Sequence, residues 1–566
     1  MSNNYTTNDS GVSRRDFIKG TVATGAVVGG GLGAFYFGYE KSIGAPLRVG
    51  VLGTGDEGSV LLGAINPEFI EVKAIADIRP YNVWRAFHGD QAILAARPGL
   101  MTKYKWKTED EARRHVKVYG YSEGGYEELL KNAKADGIEA IIIALPLHLH
   151  APAAIAAMRA GLPVITEKLM GHTVHECKEM ARTSEETGKI LATGHQRHYN
   201  ILYANAVDSI RRGMLGDLHY IRAQWHRGNL PGKDSWQQPM PSACKPEDRL
   251  ARDLEKRQRD WSAKLKSAST GADIETCRLQ LAQVEAQIAD HLLADHVKKF
   301  GYEDGVVKDA SGKVVYTRPA MEELIRWRLW DRTGAGLMAE LGSHQLDAAS
   351  IFVSAMHDGE KQIPLNVAAA GNRPLFPPDR DVEDHVYCII EFPAPGYDPK
   401  DPIACRKKIG VQYSSINGNG FGGYGEIVFG TEGTLILEKE QEMNIIKGPA
   451  SPSSVKVSGG TGGPTLDTQA SGAPAAAKSA AGGGGPKVSR GYTEELEHWA
   501  WCVRNPAPEN KPRCSPKVAM GDAIIALVTN MAARKGARIE FKKEWFDIHS
   551  DETPENVKPD LTRYKS

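Results

Sequence analysis

The 566-residue chain has only seven cysteines. So few thiols over that length do not make a disulfide framework, and no Cys-x-x-Cys pair occurs to hold a zinc through thiolates. Excess charge is missing too: Lys plus Arg and Asp plus Glu both number 70. That balance argues against a nucleic-acid binder and against a protein held broadly on anionic lipid. No internal repeat is evident. What is present is 41% hydrophobic residues, enough for well-packed cores, and a length that implies two domains or more.

Residues 1–45 read as a targeting segment rather than fold. Ser13-Arg14-Arg15-Asp16-Phe17-Ile18-Lys19 resembles the twin-arginine export signal, and a weakly apolar Gly/Ala-rich stretch follows from Thr21 to Phe37. Ser42-Ile43-Gly44 offers small residues for cleavage. The expected location is therefore periplasmic, or membrane-anchored if the signal stays uncleaved, after passage through the twin-arginine machinery.

From residue 46 short apolar runs alternate with helical patterns. Leu47–Gly53, Ile70–Asp77, Ile138–Leu145, Pro163–Glu167 and Lys189–Gly194 read as strands. Gly58–Ile65, Pro152–Ala160 and Cys177–Thr187 read as helices. That alternation predicts a parallel sheet with right-handed crossovers over 46–195. Asn82–Tyr119 is charged and too long for a simple crossover, and is expected to be a helical insertion. Residues 196–548 change character. Leu218–Trp225, Leu365–Ala370, His385–Phe392, Lys408–Ser414, Gly425–Gly430 and Thr434–Lys439 predict an open, mainly antiparallel sheet, with closing helices at Thr493–Arg504 and Val518–Lys535. The fold class expected is α/β: an N-terminal Rossmann dinucleotide-binding domain followed by an α+β domain. Within the second domain, residues 240–325 hold a helical hairpin insertion. Its helices lie between Arg249 and Phe300, where there is no proline and Gly271 separates the halves. Lacking a catalytic constellation, it reads as structural or assembly-related, and its deletion is expected to leave nucleotide binding in place. Residues 449–488, rich in Gly, Ser, Ala and Pro, read as a disordered loop, and 549–566 as a tail.

Gly53-Thr54-Gly55-Asp56-Glu57-Gly58 is a Gly-x-Gly-x-x-Gly placed directly after a strand and opening a helix. Its glycines permit a tight turn and close backbone approach, so a pyrophosphate can rest on free N–H groups at the helix N-terminus. Asp56 and Glu57 beside those phosphates count against anion binding. Asp77 ends the second strand at the offset expected for the carboxylate that accepts from both ribose hydroxyls and repels a 2′-phosphate. With Ile78 and Arg79 after it, this favours NAD over NADP, although Arg79 could receive a phosphate.

Further along, four segments carry a resemblance. They are Ala144-Leu145-Pro146-Leu147-His148-Leu149-His150, Glu167-Lys168-Leu169, Thr193-Gly194-His195-Gln196-Arg197, and Gly334 through Asp347 with Glu340, His344 and Asp347 in register. Together they resemble the glucose–fructose oxidoreductase / inositol dehydrogenase / MocA family over roughly 46–225 and 326–548. Leu169 stands where that family has proline, Leu145 and Leu147 replace Thr and Asn, and Glu340 replaces the more usual Asp. The resemblance implies a cofactor site that includes Leu145, Pro146, His150, Glu167, Lys168 and Gln196, and a sugar or polyol as substrate.

Oxidising a secondary alcohol needs a hydride acceptor, a base, and a cation near the developing alkoxide. Lys168, just past a strand C-terminus, is the candidate cation. His344 is the candidate base. Glu340, four residues before it, is expected to share its helix face and orient the imidazole. That spacing could also serve a metal, but no third ligand recurs nearby and none is expected. Asp347 and Arg197 are candidate substrate ligands. So are Trp225 and Arg328, since aromatic faces with Arg donors suit a sugar, and Trp327 and Trp330 flank Arg328. The function expected is an exported NAD-dependent sugar oxidoreductase, forming a homo-oligomer. A redox-neutral enzyme passing through a transient keto-sugar is the first alternative, and a non-catalytic nucleotide-binding scaffold the second.

Overall fold

The central runs of the first domain, Ala140–Ile143 and Val164–Glu167 among them, are rich in β-branched residues and wholly buried, as strands covered on both faces require. In the computed structural model six strands form one parallel sheet. β1 (Leu47–Leu52), β2 (Ile70–Ala76), β3 (Lys117–Tyr119), β4 (Ala140–Ile143), β5 (Val164–Glu167) and β6 (Leu191–Gly194) lie in the order β3-β2-β1-β4-β5-β6. The structure describes residues 34, 36–40, 42–448, 454–460, 463–467 and 489–555. The twin-arginine motif lies outside the described residues. Among the described residues no helix is long and apolar enough to cross a membrane.

Helix α1 (Asp56–Ala64) follows β1, and α2 (Pro80–His88) follows β2 with proline at its first turn. Proline suits that position because its missing N–H would have no helical partner there. Helix α3 (His150–Arg159) covers β4 and β5. Helix α4 (Val174–Thr187) starts at a reciprocal capping box between Thr173 and Glu176, which fixes where the loop after β5 ends. The reversal of strand order between β1 and β4 opens a crevice at their C-terminal ends, where open α/β sheets bind ligands. The stretch expected to be wholly helical, Asn82–Tyr119, in fact ends in β3. Only three residues pair there, Lys117–Tyr119 against Ala74–Ala76, too few to show a strand period in the sequence.

The second domain is built on a ten-stranded sheet. Its strands are β7 (Leu218–Trp225), β10 (Asn366–Asn372), β11 (His385–Pro393), β12 (Lys408–Ile416), β13 (Tyr424–Gly430), β14 (Gly433–Glu438), β15 (Glu442–Lys447), β16 (Ser454–Gly460), β17 (Gly463–Asp467) and β18 (Arg538–Glu540). The order is β17-β16-β15-β14-β13-β7-β12-β11-β10-β18, antiparallel except for the β12–β7 pair. Alternation sets its register: Val386, Cys388, Ile390 and Phe392 of β11 point into the core, whereas Tyr387 and Ile389 face outward. A slip of one residue would exchange the two sets. Helices α5 (Ile201–Arg211), α8 (Ser343–Ala355) and α10 (Pro516–Lys535) cover the inner face. β16 and β17 fall in the segment expected to be a disordered loop. Ser-Val-Lys-Val alternates and pairs with β15 at the sheet edge, a neighbour that composition does not reveal. The rest of that segment lies outside the described residues.

The inserted hairpin is two antiparallel helices, α6 (Arg249–Ser267) and α7 (Gly271–Ala289), followed by a two-stranded hairpin of β8 (Gly305–Lys308) and β9 (Val314–Arg318). Helix α7 packs against α2 of the first domain. After the second domain the chain returns as α9 (Tyr492–Arg504), which packs on β6 and α1. Against it lie Phe37 and Tyr39, inside the stretch read as the targeting segment. Both are buried; Tyr39 donates to Glu497 at 2.6 Å and stacks on His498.

Candidate active site

A cavity of about 1030 Å³ runs from the β1–α1 turn to the inner face of the second sheet. Its N-terminal end is the glycine loop. Gly53 has φ +86°, and a Cβ there would collide with the Ala144 carbonyl oxygen. At Gly58 a Cβ would collide with the Gly53 carbonyl, so this glycine sets the helix–strand packing. Gly55 differs: a Cβ there would meet nothing closer than Asn82 Nδ2 at 3.7 Å. Its bare backbone borders open cavity, the cradle a pyrophosphate needs.

Of the two acidic residues of the loop, Asp56 is accommodated by guanidiniums. Asp56 Oδ1 accepts from Arg85 at 2.9 Å and lies 3.5 Å from Arg97. Its Oδ2 accepts from Gln238 at 2.8 Å and Arg328 at 3.4 Å. Although burial opposes ionisation, these guanidiniums hold the carboxyl well below the ordinary range. Asp77 ends β2 as expected, and its carboxylate accepts from the amides of Thr54 at 2.8 Å and Arg79 at 2.9 Å. Thr54 itself turns inward, its hydroxyl donating to the Asn82 carbonyl, so it shapes the loop rather than facing the cavity. Glu57, Ile78, Arg79, Leu145, Pro146, His150 and Glu167 line the cavity. The His150 ring spans the carbonyls of Leu145 and Leu169 at 2.8 and 2.7 Å, tying the end of β4 to the loop after β5. Gln196 does not reach the cavity: it is buried beside Glu440.

At the other end Lys168 and His344 both line the cavity. Lys168 Nζ donates to the Glu340 carbonyl at 2.6 Å and reaches that of Ala339 at 3.5 Å. These carbonyls are presented by a single π-turn, Met338–Gly342, that precedes α8. The π-turn also corrects the expected Glu340–His344 pairing. Spacing by four marks one face only at 3.6 residues per turn; here the turn is wider, and the Glu340 carboxylate instead accepts from Arg328 Nε at 2.7 Å. Arg328, Lys168 and Arg227 keep that carboxyl ionised, down at about 2, against burial. Burial, reinforced by Lys168 and Arg197, holds the His344 imidazole well below the usual histidine range. It is therefore neutral near pH 7.

Of the expected substrate ligands, Trp225 and Arg328 line the cavity, with Trp225 stacked on Tyr424 at 4.5 Å and 5.4 Å from the His344 ring. Arg197 and Asp347 do not. Arg197 is wholly buried, donating to Glu440 at 2.9 Å and to the His344 carbonyl, so it supports α8 from behind. Asp347 is turned to His198 at 2.9 Å and His195 at 3.5 Å. These two histidines hold its carboxylate away from the cavity although spacing by three keeps it near the helix face of His344. Trp330 is core, while Trp327 lines the cavity.

Sequence reasoning missed Arg85, Arg97 and Gln238 around Asp56, and Tyr424, Arg490 and Tyr492 at the far end. None sits in a motif; each arrives by tertiary packing. The insertion was also expected to stand apart from the nucleotide site, yet Lys299, Phe300, Gly301 and Tyr302 wall the cavity. Docking of α7 on α2 brings them there.

Comparison with known proteins agrees with this geometry. Residues 47–195 match the Gfo/Idh/MocA family model, described as an oxidoreductase family with an NAD-binding Rossmann fold. A glycosyl hydrolase family 109 protein of Stenotrophomonas maltophilia is 30% identical over 187 residues, 32% of this chain and 36% of the relative. An alpha-N-acetylgalactosaminidase of Tannerella forsythia is 35% identical over 103 residues, 18% and 21% of the two chains. The matched region thus spans roughly a fifth to a third of the length of these relatives. Among solved structures, a levoglucosan dehydrogenase complexed with NADH and L-sorbose superposes with TM-score 0.51 at 15% identity, over 88% of this chain and 100% of that one. An inositol dehydrogenase homologue of Azotobacter vinelandii, complexed with NADH and myo-inositol, gives 0.51 at 13% identity over 88% and 98%. The chain therefore has the two-domain fold of these dehydrogenases, and residues 47–195 are an NAD-binding Rossmann domain matching the Gfo/Idh/MocA oxidoreductase family.

Proposed function

We propose that this protein is an exported NAD-dependent enzyme that oxidises a hydroxyl-bearing carbon of a sugar or polyol. The observation that carries the reading is the convergence of Lys168 and a neutral His344 on one cavity whose other end is the glycine cradle. The residues present fit a dinucleotide: Gly55 leaves backbone bare, Arg85 and Arg97 are paired with Asp56, and Asp77 stands at the ribose position. When bound, the nicotinamide ring supplies the hydride acceptor. The chain supplies the rest. Lys168 has three donors, and the Glu340 and Ala339 carbonyls aim the ammonium without neutralising it. It stabilises the oxygen as negative charge develops there. His344, unprotonated, accepts the hydroxyl proton at a ring nitrogen. Trp225 and Tyr424 offer aromatic faces to the apolar side of a sugar ring, while Arg328 and Glu340 hold each other in place beside it.

A redox-neutral variant is the second reading, favoured by the relatives that are named glycosyl hydrolases and alpha-N-acetylgalactosaminidase. There Lys168 and His344 would handle the hydroxyl proton in the same way while the hydride passed to the bound cofactor; the leaving group would depart by elimination from the keto-sugar, water would add in its place, and the same hydride would return to the carbonyl. Passage through the twin-arginine route and homo-oligomerisation belong to this proposal. Tyr387 and Ile389, exposed on the outer sheet face, are compatible with a partner there. The test is a panel of free sugars, polyols and glycosides with the full chain, following reduced nicotinamide in single turnover alongside released aglycone. Net reduced cofactor supports the first reading; aglycone without it supports the second. Neither signal with any substrate, from a protein that binds NAD, would refute both.

A further inference from the structure

The insertion carries a residue that the nucleotide-binding motif does not contain. Asp290 directly follows α7, and its Oδ2 accepts from both Nε and Nη2 of Arg79, at 2.9 and 2.8 Å. Its Oδ1 accepts from the Tyr81 amide at 3.0 Å. Both side chains of the pair are buried, 8% and 1% exposed. Arg79 also binds through its backbone amide to Asp77, the ribose carboxylate. Arg79 therefore meets one acid from each domain, Asp77 through its backbone amide and Asp290 through its guanidinium, and the Nε–Nη2 edge it would turn to a phosphate is already occupied. The segment after Asp290 continues the wall. Phe300 packs 3.4 Å from the position of a Cβ on Gly125, and Leu293, Val297 and Tyr302 form a small core that extends onto Ile78 and Tyr121. Lys299 also lines the cavity.

We infer that Asp290 is a cofactor-specificity residue: by holding the Nε–Nη2 edge of Arg79 in a buried ion pair it turns the guanidinium away from a 2′-phosphate, so the site takes NAD and rejects NADP. The insertion is thus a functional wall of the nucleotide site, not only an appended element. The inference rests on the dinucleotide reading of the cavity. A plain structural staple would tie the insertion to the first domain equally well, but would not alter the preference between the two nucleotides.

The test is equilibrium titration of the full-length protein with NAD and with NADP, alongside thermal melting. Asp290→Asn is expected to raise NADP affinity about 10-fold or more while NAD affinity shifts by less than about 3-fold, in keeping with one freed charge-assisted pair. Adding Arg79→Gln to Asp290→Asn should remove the gain. Arg79→Gln alone, which does not depend on the Asn variant folding, should leave the weak NADP binding of the parent unchanged. An unaltered NAD-to-NADP ratio in folded Asp290→Asn would overturn the inference. So would a parent that binds NADP as tightly as NAD, which would point to Lys299, or loss of NADP binding in Arg79→Gln. A parent that binds neither nucleotide would instead refute the reading of the cavity itself.

Discussion

Replacing Lys168 with Met keeps the length and apolar stem of the side chain and removes its charge. Nζ sits 2.6 Å from the Glu340 carbonyl, so a substrate oxygen bound to it would lie at a similar hydrogen-bond distance. For unit charges about 3.5 Å apart at an effective dielectric of about 20, the interaction is about 4.7 kcal/mol. One decade in rate costs about 1.36 kcal/mol. The full figure would be about 3.5 decades, and partial charge in the transition state lowers it. The expected loss of turnover is therefore about 10²–10³-fold. His344→Gln should fall in the same range, and the double variant should lose little more than the worse single one, since residues acting as a unit are not additive. A pH signature separates this from general damage. Lys168 helps hold the His344 imidazole below its ordinary range. Activity in the parent is lost as pH falls through that depressed value, so the acid limb lies below the usual histidine pKa. Without Lys168 the imidazole pKa rises, and the limb moves to higher pH. The assay is single-turnover hydride transfer against pH on a substrate the parent uses. Near-normal hydride transfer in either variant, or an acid limb unmoved in Lys168→Met, would mean that these residues are not the acid–base unit.

Gly55→Val should abolish nucleotide binding while leaving the melting temperature within a few degrees of the parent, because its Cβ meets no atom closer than 3.7 Å and points into the cradle; titration with NAD checks it, and parent-like affinity would contradict it. Glu139 pairs with Arg504 at 2.6 Å, tying α9 to the first domain, and its carboxyl is held down to about 2. That stability is present above the ordinary carboxylate pKa and is lost as pH falls towards 2. Glu139→Gln should accordingly cost about 1 kcal/mol near neutrality, with the difference in melting temperature from the parent closing in acid. Changing Arg14 and Arg15 to Lys should retain the protein in the cytoplasm; unchanged export in cell fractionation would remove the twin-arginine proposal.

The sequence was most legible where a short motif and a local element coincide. The glycine loop follows β1 and opens α1, Asp77 closes β2, and Lys168 follows β5, so strand order alone carries these residues to one crevice. His344 was legible as a residue but not in its partner, because the pairing with Glu340 assumed α-helical spacing and the chain widens there into a π-turn. Gln196 and Arg197 were expected in the site from the resembling segment Thr193–Arg197, and Asp347 from its place near the helix face of His344. Each instead faces inward, satisfying buried groups behind α8. The insertion was legible as two helices. Its contact with α2 was not, because helical periodicity shows that a face is buried and never against what.

Asp56 shows how far local reading can mislead even inside a clear motif. An acidic residue at the first turn of the phosphate-binding helix should weaken anion binding by setting like charge beside it. In the fold it is the centre of a chain of charges that crosses the cleft, Arg85 and Arg97 from the first domain and Arg328 from the second. Arg328 is shared in turn with Glu340, whose backbone carbonyl aims Lys168. Three guanidiniums surround this one carboxylate, so its charge is offset where a pyrophosphate would sit. The same carboxylate joins the nucleotide end of the cavity to the turn that positions the reacting end. Its removal would weaken catalysis, because Arg328 would lose one of the two acids that fix it across the domain boundary. The motif's apparent defect thus couples the two halves of the site.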